Sequence, residues 1–290
     1  MNDTSITSEI ERLTGIKILV QTYETIAASS MKRIRASVLQ NRAFYIGLAR
    51  AFQEVKRAYR KEVLELMKER KIEGEKSLSL IKRNGKTCFV LLMANTGLYG
   101  DIVNKVFAFF SQEYKKESAD IVVIGKMGST FFNQMFPGKS YAYFDFPDNA
   151  MDLDKLKKII RHVSSYEKTL VFYGSFKNFL LQQATFSAIS GDELPTEALE
   201  YKDMRYLFEP ELEAIFLFFE NEIFVSLFEQ VLYESRLAKL ASRMALLDRA
   251  SVAVDDQLEK ASFQRQRARH RVFNRKQLDA ISGISLWGSS

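Results

Sequence analysis

The distribution of proline and glycine restricts this chain more than any other feature of its sequence. All four prolines lie between positions 137 and 210, and the 72 residues 211–282 contain neither proline nor glycine. Proline breaks a helix and glycine weakens one, so a single uninterrupted helix can span this stretch. Such a helix would be roughly 108 Å long. Few helices of globular proteins approach that length. The sequence therefore predicts an unusually long C-terminal helix.

Apolar residues recur at three- and four-residue spacing through both ends of the chain, as in a coiled coil. The C-terminal stripe includes Leu212, Ile215, Phe219, Ile223, Leu227, Val231, Leu237, Leu240, Met244, Leu247, Ala250, Val254 and Leu258. Residues 9–73 continue the pattern through Ile10, Leu13, Ile16, Val20, Tyr23, Ala27, Ile34 and Val38. Each stripe needs a partner, and antiparallel pairing of the two helices would supply it.

The charges of the two segments are complementary. Residues 50–71 carry eight basic and four acidic side chains, whereas residues 211–234 carry six acidic and no basic ones. Antiparallel pairing would place these blocks side by side. Exposed ion pairs contribute little individually, so two solvated faces are an equally good interpretation.

Between the helices, β-branched and aromatic runs predict a separate domain. We expect strands at 87–95, 120–125, 141–146, 169–174 and 185–190, and helices at 98–116, 129–135 and 152–165, the last capped by Asp152. Alternating strands and helices indicate a mostly parallel sheet. The predicted α/β fold is a long antiparallel coiled coil of N- and C-terminal helices with an inserted Rossmann-like domain. Its boundaries are 1–75, 76–206 and 207–290.

Residues with catalytic or ligand-binding potential do not assemble into a site. Residues 84–87 (Asn-Gly-Lys-Thr) resemble the end of a phosphate-binding loop, but position 80 is leucine and the segment leads into a strand. The only histidines, His162 and His270, are far apart, and His162 is expected at the surface. Cys88, the single cysteine, is expected to be buried. We therefore expect no catalytic residue, cofactor or metal ligand, and a nucleotide-dependent enzyme is the least favoured hypothesis.

The charge and the termini limit the possible partners. The net charge of +6 suits an acidic partner. Residues 260–276 hold seven basic side chains and no acid, which a nucleic acid or a protein collar could bind, or which could simply be solvated. The N-terminus lacks the features of a signal peptide, and no uninterrupted run of about 18 apolar residues occurs, so membrane association is expected only through partners.

Short motifs distributed along the chain point to a family. They are Tyr-Leu-Phe-Glu-Pro at 206–210, Glu-Ser at 234–235, Ala-Ser-Arg-Met at 241–244, Ile-Ser-Gly at 281–283, Glu-Thr-Ile-Ala-Ala-Ser-Ser-Met-Lys-Arg at 24–33, Gly-Leu-Tyr-Gly at 97–100 and Ile-Gly-Lys-Met-Gly at 124–128. In their order along the chain they resemble the gamma subunit of F-type ATP synthases. The resemblance covers most of the chain and leaves about 136–202 matched by fold pattern alone.

The resemblance implies a non-catalytic rotor, the central stalk of a rotary ATP synthase. Its terminal helices would turn inside a ring of alpha and beta subunits, with the α/β domain beside an epsilon-like subunit and the membrane rotor ring. One copy per complex, at the cytoplasmic face of the membrane, would couple ATP synthesis or hydrolysis in the ring to rotation and to proton or sodium transport. No nucleic acid takes part in that role.

The resemblance also implies particular contacts with the beta subunits. Arg243 matches a family arginine that meets a beta-subunit loop, and His270 stands in place of a glutamine with the same role. Tyr23 takes the position of a methionine beside a beta-subunit lever. Asn274 ends the altered pattern 266–274 and is the fourth expected contact.

Two further positions depart from the family pattern. Gly97, Leu98 and Gly100 match the family's structural turn after the first strand, but Tyr99 replaces its cysteine, and Lys239 replaces a usual glutamate. We expect these changes at the ring contact. They keep open the alternative of a gamma-like shaft in a divergent rotary ATPase that serves another mechanical task.

Overall fold

The structure, a computed structural model, describes residues 3–60, 62, 65, 83–179, 181–189 and 211–287. Its internal contacts group the chain into two units. We call residues 1–29 and 244–290 the terminal unit, and residues 30–243 the central unit. The predicted domain boundaries at 75/76 and 206/207 lie outside the described residues.

The two predicted long helices are present. Helix α1 spans Asp3–Ala58 and helix α5 spans Leu212–Trp287. α1 therefore begins six residues before the predicted start, and most of the predicted extension to residue 73 lies outside the described residues. α5 continues through Gly283, because a single glycine weakens a helix without ending it.

In the terminal unit the two helices share a narrow buried seam. Its buried apolar side chains recur at multiples of seven residues on each helix, as in a coiled coil: Ile6, Leu13 and Ala27 on α1, and Leu247, Val254 and Ala261 on α5. Lys17 forms an ion pair with Asp255 at 2.7 Å. The sequence pattern places Tyr23 on the apolar stripe, but its side chain lies outside the buried seam and is 48% exposed.

The central unit contains a five-stranded sheet in the order β3-β2-β1-β4-β5. The strands are β1 Thr87–Leu92, β2 Asp120–Ile124, β3 Ala142–Phe144, β4 Lys168–Phe176 and β5 Gln182–Ala188. All neighbouring pairs are parallel except β4 and β5, which are antiparallel. The prediction of a mostly parallel α/β sheet is thus confirmed.

Helices cover both faces of this sheet. They are α2 Ile102–Tyr114, α3 Lys126–Met135 and α4 Leu153–Val163. Alternate residues of β1 enter opposite layers: Cys88 and Val90 pack with α4 and α5, whereas Phe89 and Leu91 pack with α2 and α3. A strand buried on both faces reads as a continuous apolar run, and this explains why β1 was visible in the sequence.

Helices α1 and α5 also pack together inside the central unit. The ring of Phe52 lies 5.3 Å from the rings of both Phe216 and Phe219. Further along, the Asn41 side-chain amide donates to the Ser226 carbonyl at 3.0 Å. Positions rising along α1 meet positions falling along α5, so the pairing here is antiparallel. The predicted contact between charged blocks stays a prediction, because part of 61–71 lies outside the described residues.

Two local expectations need correction. The predicted helix at 98–116 begins only at Ile102, because Leu98 and Gly100 have φ of 66° and 62°, which a helix cannot contain. His162 is half-buried between the rings of Phe144 and Tyr166, at 5.5 and 6.0 Å, instead of lying at the surface. Asp152 caps α4 as predicted, since its carboxylate accepts from the Lys155 amide at 3.0 Å.

Among the described helices, none is both long enough and apolar enough to cross a bilayer.

The aromatic contact between α1 and α5 gives a first test of this packing. Phe52→Ala should lower the free energy of unfolding by roughly 3–5 kcal/mol, because it empties a fully buried site. Phe44→Ala removes a 54% exposed ring from the same helix and should cost less than about 0.5 kcal/mol. Urea unfolding of the full chain, followed by circular dichroism, would compare the two. Equal losses would contradict the packing described.

Candidate functional site

The carboxyl edge of the parallel sheet is where doubly wound folds usually bind ligands. Here β1 ends at Leu92 and the chain turns through residues 93–100 before α2. The Asp148 carboxylate fills the position that a bound anion would take at such a turn. Its Oδ2 accepts from the backbone amides of Asn95 and Thr96 and from the Thr96 hydroxyl, each at 3.0 Å.

A buried lysine completes this interaction. The Lys239 ammonium donates to the Met93 carbonyl at 3.1 Å and lies 3.7 Å from the Asp148 carboxylate. Burial lowers the pKa of Lys239 to about 8, because loss of solvent outweighs the attraction of Asp148. Lys239 was expected at the ring contact, and that expectation is wrong because its side chain is enclosed within the central unit.

Two arginines flank this lysine on the same side of α5. Arg236 Nε donates to the Asp148 carbonyl at 3.0 Å. Arg243 donates from Nε to the Leu98 carbonyl and from Nη2 to the Gly97 carbonyl, both at 3.1 Å. We call Arg236, Lys239 and Arg243 the cation face of α5. Their spacing of three and four residues places them in one row along the helix.

The predicted structural turn lies directly against this row. The Arg243 guanidinium stacks on the Tyr99 ring at 4.1 Å. Leu98 adopts a left-handed backbone conformation, which is unfavourable for a residue with a side chain, and the arginine holds the carbonyl of this residue in place. Gly100 is required because an added Cβ would lie 2.5 Å from Ser242 Oγ.

The polar groups at this edge of the sheet bind one another, and these bonds hold the turn, the loop after β3 and α5 together. The turn amides that could bind a phosphate are engaged by Asp148, and the cations facing them bind carbonyls of the chain. The segment 84–87 enters β1, and the Asn84 side chain accepts from the Lys86 amide at 2.9 Å in a local turn. In the described part of the chain, no group of three or more His, Cys, Asp or Glu residues is placed to hold a metal ion.

The expected beta-subunit contacts are divided between the two units. Tyr23, His270 and Asn274 are exposed in the terminal unit, whereas Arg243 belongs to the central unit and binds the turn. The terminal unit exposes large apolar side chains, among them Ile18, Leu19, Ile26, Val252, Phe263, Val272, Phe273, Leu278 and Ile281. Where exposed apolar side chains form a large continuous patch, they mark a contact with another protein.

A family model described as ATP synthase matches residues 2–285. The chain belongs to the ATP synthase gamma family. The gamma chain of Pelotomaculum thermopropionicum is 22% identical over 221 residues, which cover 72% of this chain and 76% of that relative. The gamma chain of Mycoplasma pneumoniae is 24% identical over 276 residues, which cover 90% and 96%.

Solved structures show the same fold. A chain of the Tetrahymena thermophila mitochondrial ATP synthase, from a cryo-EM structure of the central stalk and c-ring, superimposes with a TM-score of 0.55. The two are 19% identical, and the match covers 80% of this chain and 99% of that one. The resemblance to the gamma family is therefore confirmed.

Sequence reasoning did not find the central interaction of this gamma-family chain. Neither Asp148 nor Arg236 belongs to a sequence pattern that marks a functional residue. One feature of the sequence indicates such an interaction: Arg236, Lys239 and Arg243 form a row of three cations in an otherwise largely apolar part of the helix. Charged side chains on a buried helix face need partners within the chain. The identity of those partners depends on contacts between distant parts of the sequence.

The lowered pKa of Lys239 predicts a pH effect. Folded chains release this proton near pH 8 and unfolded chains near 10.5, so between these values the unfolded state holds more protons and rising pH favours folding. The stability of the natural chain relative to Lys239→Met should therefore increase from pH 8 to 10.5, by up to about 3 kcal/mol. Urea unfolding across that range measures this difference.

A matched control uses a lysine at the same edge of the sheet. Lys155 pairs with Asp145 at 3.0 Å on the exposed surface. Because exposed ion pairs contribute little to stability, Lys155→Met should lower the free energy of unfolding by less than about 1 kcal/mol. A difference for Lys239→Met that stays flat or falls with pH would show that the lysine is not buried as described.

Proposed function

We propose that this chain is the non-catalytic rotor subunit in the central stalk of an F-type ATP synthase or ATPase. In this role it couples ATP synthesis or hydrolysis in a ring of alpha and beta subunits to rotation, and so to proton or sodium transport. It is present in one copy per complex, contacts an epsilon-like subunit and a membrane rotor ring, and lies at the cytoplasmic face of the membrane. Membership of the gamma family supports each of these assignments.

The observation that carries the proposal is the surface of the terminal unit. Its helices bury a narrow seam of side chains seven residues apart and leave apolar side chains such as Ile18, Phe263 and Phe273 exposed. A pair of helices surrounded by water would have polar side chains at these exposed positions. A surrounding protein ring would cover this apolar surface while the helices turn within it.

A second observation supports the absence of catalysis in this subunit. Asp148 binds the amides of Asn95 and Thr96, which are the groups best placed to hold a nucleotide phosphate. The chemistry of ATP is therefore assigned to the partner subunits.

Purification of the native complex tests the proposal directly. An affinity tag on this chain should recover homologues of alpha and beta subunits, with one copy of this chain, and with ATP hydrolysis that drives ion transport in vesicles. A complex that hydrolyses ATP without transporting ions would favour the alternative rotary ATPase with another mechanical task. Recovery of the chain without alpha and beta homologues would refute both.

The exposed residues His270 and Asn274 give a sharper test of ring contact. Changing both to alanine should alter the free energy of unfolding by less than about 0.5 kcal/mol, since both side chains are exposed. The same change should weaken coupling between ATP hydrolysis and rotation, because these side chains are proposed to meet a beta subunit. Lys115→Ala, at the exposed residue directly after α2, is the control and should leave coupling intact.

Arg243 and Tyr23 remain proposed contacts of the same kind. Arg243→Ala should weaken coupling more than folding, but it also releases the turn carbonyls of Gly97 and Leu98. Tyr23→Ala has no such complication, because the ring lies outside the buried seam. Coupling that is unchanged in both the Tyr23 variant and the double variant would contradict the assignment of these contacts.

The basic run at 260–276 leaves nucleic acid as the competing partner. Most of its side chains are exposed, although Lys260 is paired with Asp256 at 2.7 Å. Contacts with phosphates give binding that falls steeply with salt. Tight binding of duplex DNA by the assembled complex at physiological salt would favour that function, and we expect none.

A further inference from the structure

Helix α5 is enclosed where it crosses the carboxyl edge of the sheet. Each of the eight residues 235–242 is buried, so the helix has contacts around its whole circumference there. The same stretch carries the cation face, which binds carbonyls from the loops after β1 and β3. A buried helix needs no such polar contacts for the hydrophobic effect alone. These contacts fix its orientation about its own axis.

Opposite charges occupy the two sides of the helix. On one side, Glu234 accepts from the Tyr173 hydroxyl at 2.9 Å and from the Ser175 hydroxyl at 3.0 Å, both on β4. Burial and the nearby Glu234 raise the pKa of Tyr173, which keeps this hydroxyl protonated as a donor. On the other side is the cation face. Rotation of the helix in either direction would break hydrogen bonds on both sides.

Small side chains lie between the two charged sides, and we call Ala238 and Ser242 the small strip. Successive residues of an α-helix are rotated by about 100° about its axis. Measured about this axis from Glu234, the small strip lies at about 40–80° and the cation face lies at about 140–200°. The strip lies against two glycines: an added Cβ would be 3.5 Å from Ala238 Cβ at Gly174, and 2.5 Å from Ser242 Oγ at Gly100. The helix therefore approaches the sheet closely, with a charged contact on either side.

We propose that Glu234, the small strip and the cation face form a torsional lock, which prevents α5 from turning about its axis relative to the sheet. The inference rests on the proposed rotor function, because a rotor must pass torque between its long helix and its α/β domain without slipping. Asp148 is the central positioning residue of the lock: its carboxylate holds the turn amides and faces Lys239, while its carbonyl binds Arg236.

The first measurement is hydrogen exchange on the full chain. Arg236→Met with Lys239→Met keeps most of the apolar volume but removes the donors. Exchange in residues 93–100 should become about tenfold faster, because the turn loses charged hydrogen bonds, while the β1 and β2 amides stay protected. Lys116→Met, which removes an exposed ion pair with Glu113 away from the turn, should leave the turn unchanged. Unaltered exchange in the double variant would show that these cations do not hold the turn, and the proposal would be wrong.

The second measurement is the torsional stiffness of the rotor in the assembled complex. With the ring immobilised, a probe attached through Gln112→Cys on α2 reports angular fluctuations of the α/β domain. The native Cys88 is fully buried and should not compete for the label. The double variant should increase the angular variance by at least about twofold, because lost hydrogen bonds leave the helix free to twist, and Lys155→Met should not.

Unchanged variance in an assembled double variant would overturn the lock and leave the rotor function standing. Failure of the natural chain to assemble with alpha and beta subunits would instead remove the rotor function on which the lock depends.

Discussion

The enclosure of α5 at residues 235–242 is the constraint on which the central unit depends. A helix buried on all sides must satisfy every charge that it carries from within the chain. Arg236 and Lys239 do so through carbonyls and through Asp148, which in turn holds the turn after β1. The sheet, the turn and the helix are thereby joined by one set of contacts. A change in the position of any of the three would disturb the contacts of the other two.

The same interaction shows how a fold of the nucleotide-binding type can be used without a bound ligand. In doubly wound sheets the crevice beyond the carboxyl ends of the strands normally receives a ligand. Here the crevice receives the chain's own helix, and the Asp148 carboxylate takes the position of an anionic ligand. A surface that elsewhere receives a ligand is filled here by the chain itself. Rigidity at this edge replaces binding.

The sequence predicts the elements of this fold better than their contacts. The long helices follow from the absence of proline and glycine in 211–282, and β1 from its unbroken apolar run. Three features are not predicted from the sequence, because they depend on contacts and backbone conformations of the folded chain. The left-handed conformation of Leu98 delays α2, but only glycine signals such a conformation reliably. Lys239 and Asp148 lie 91 positions apart. The apolar stripe of α1 includes Tyr23, although the seam uses fewer positions than the stripe offers.

The narrow seam of the terminal unit also bears on how the chain is handled before assembly. Exposed side chains such as Leu19 and Phe273 attract chaperones, proteases and other unfolded chains as readily as they attract the correct subunits. If the proposed ring covers this surface, a copy without its ring would be open to degradation. Quality control of orphan subunits would keep the number of stalks equal to the number of rings, without any separate mechanism to count them.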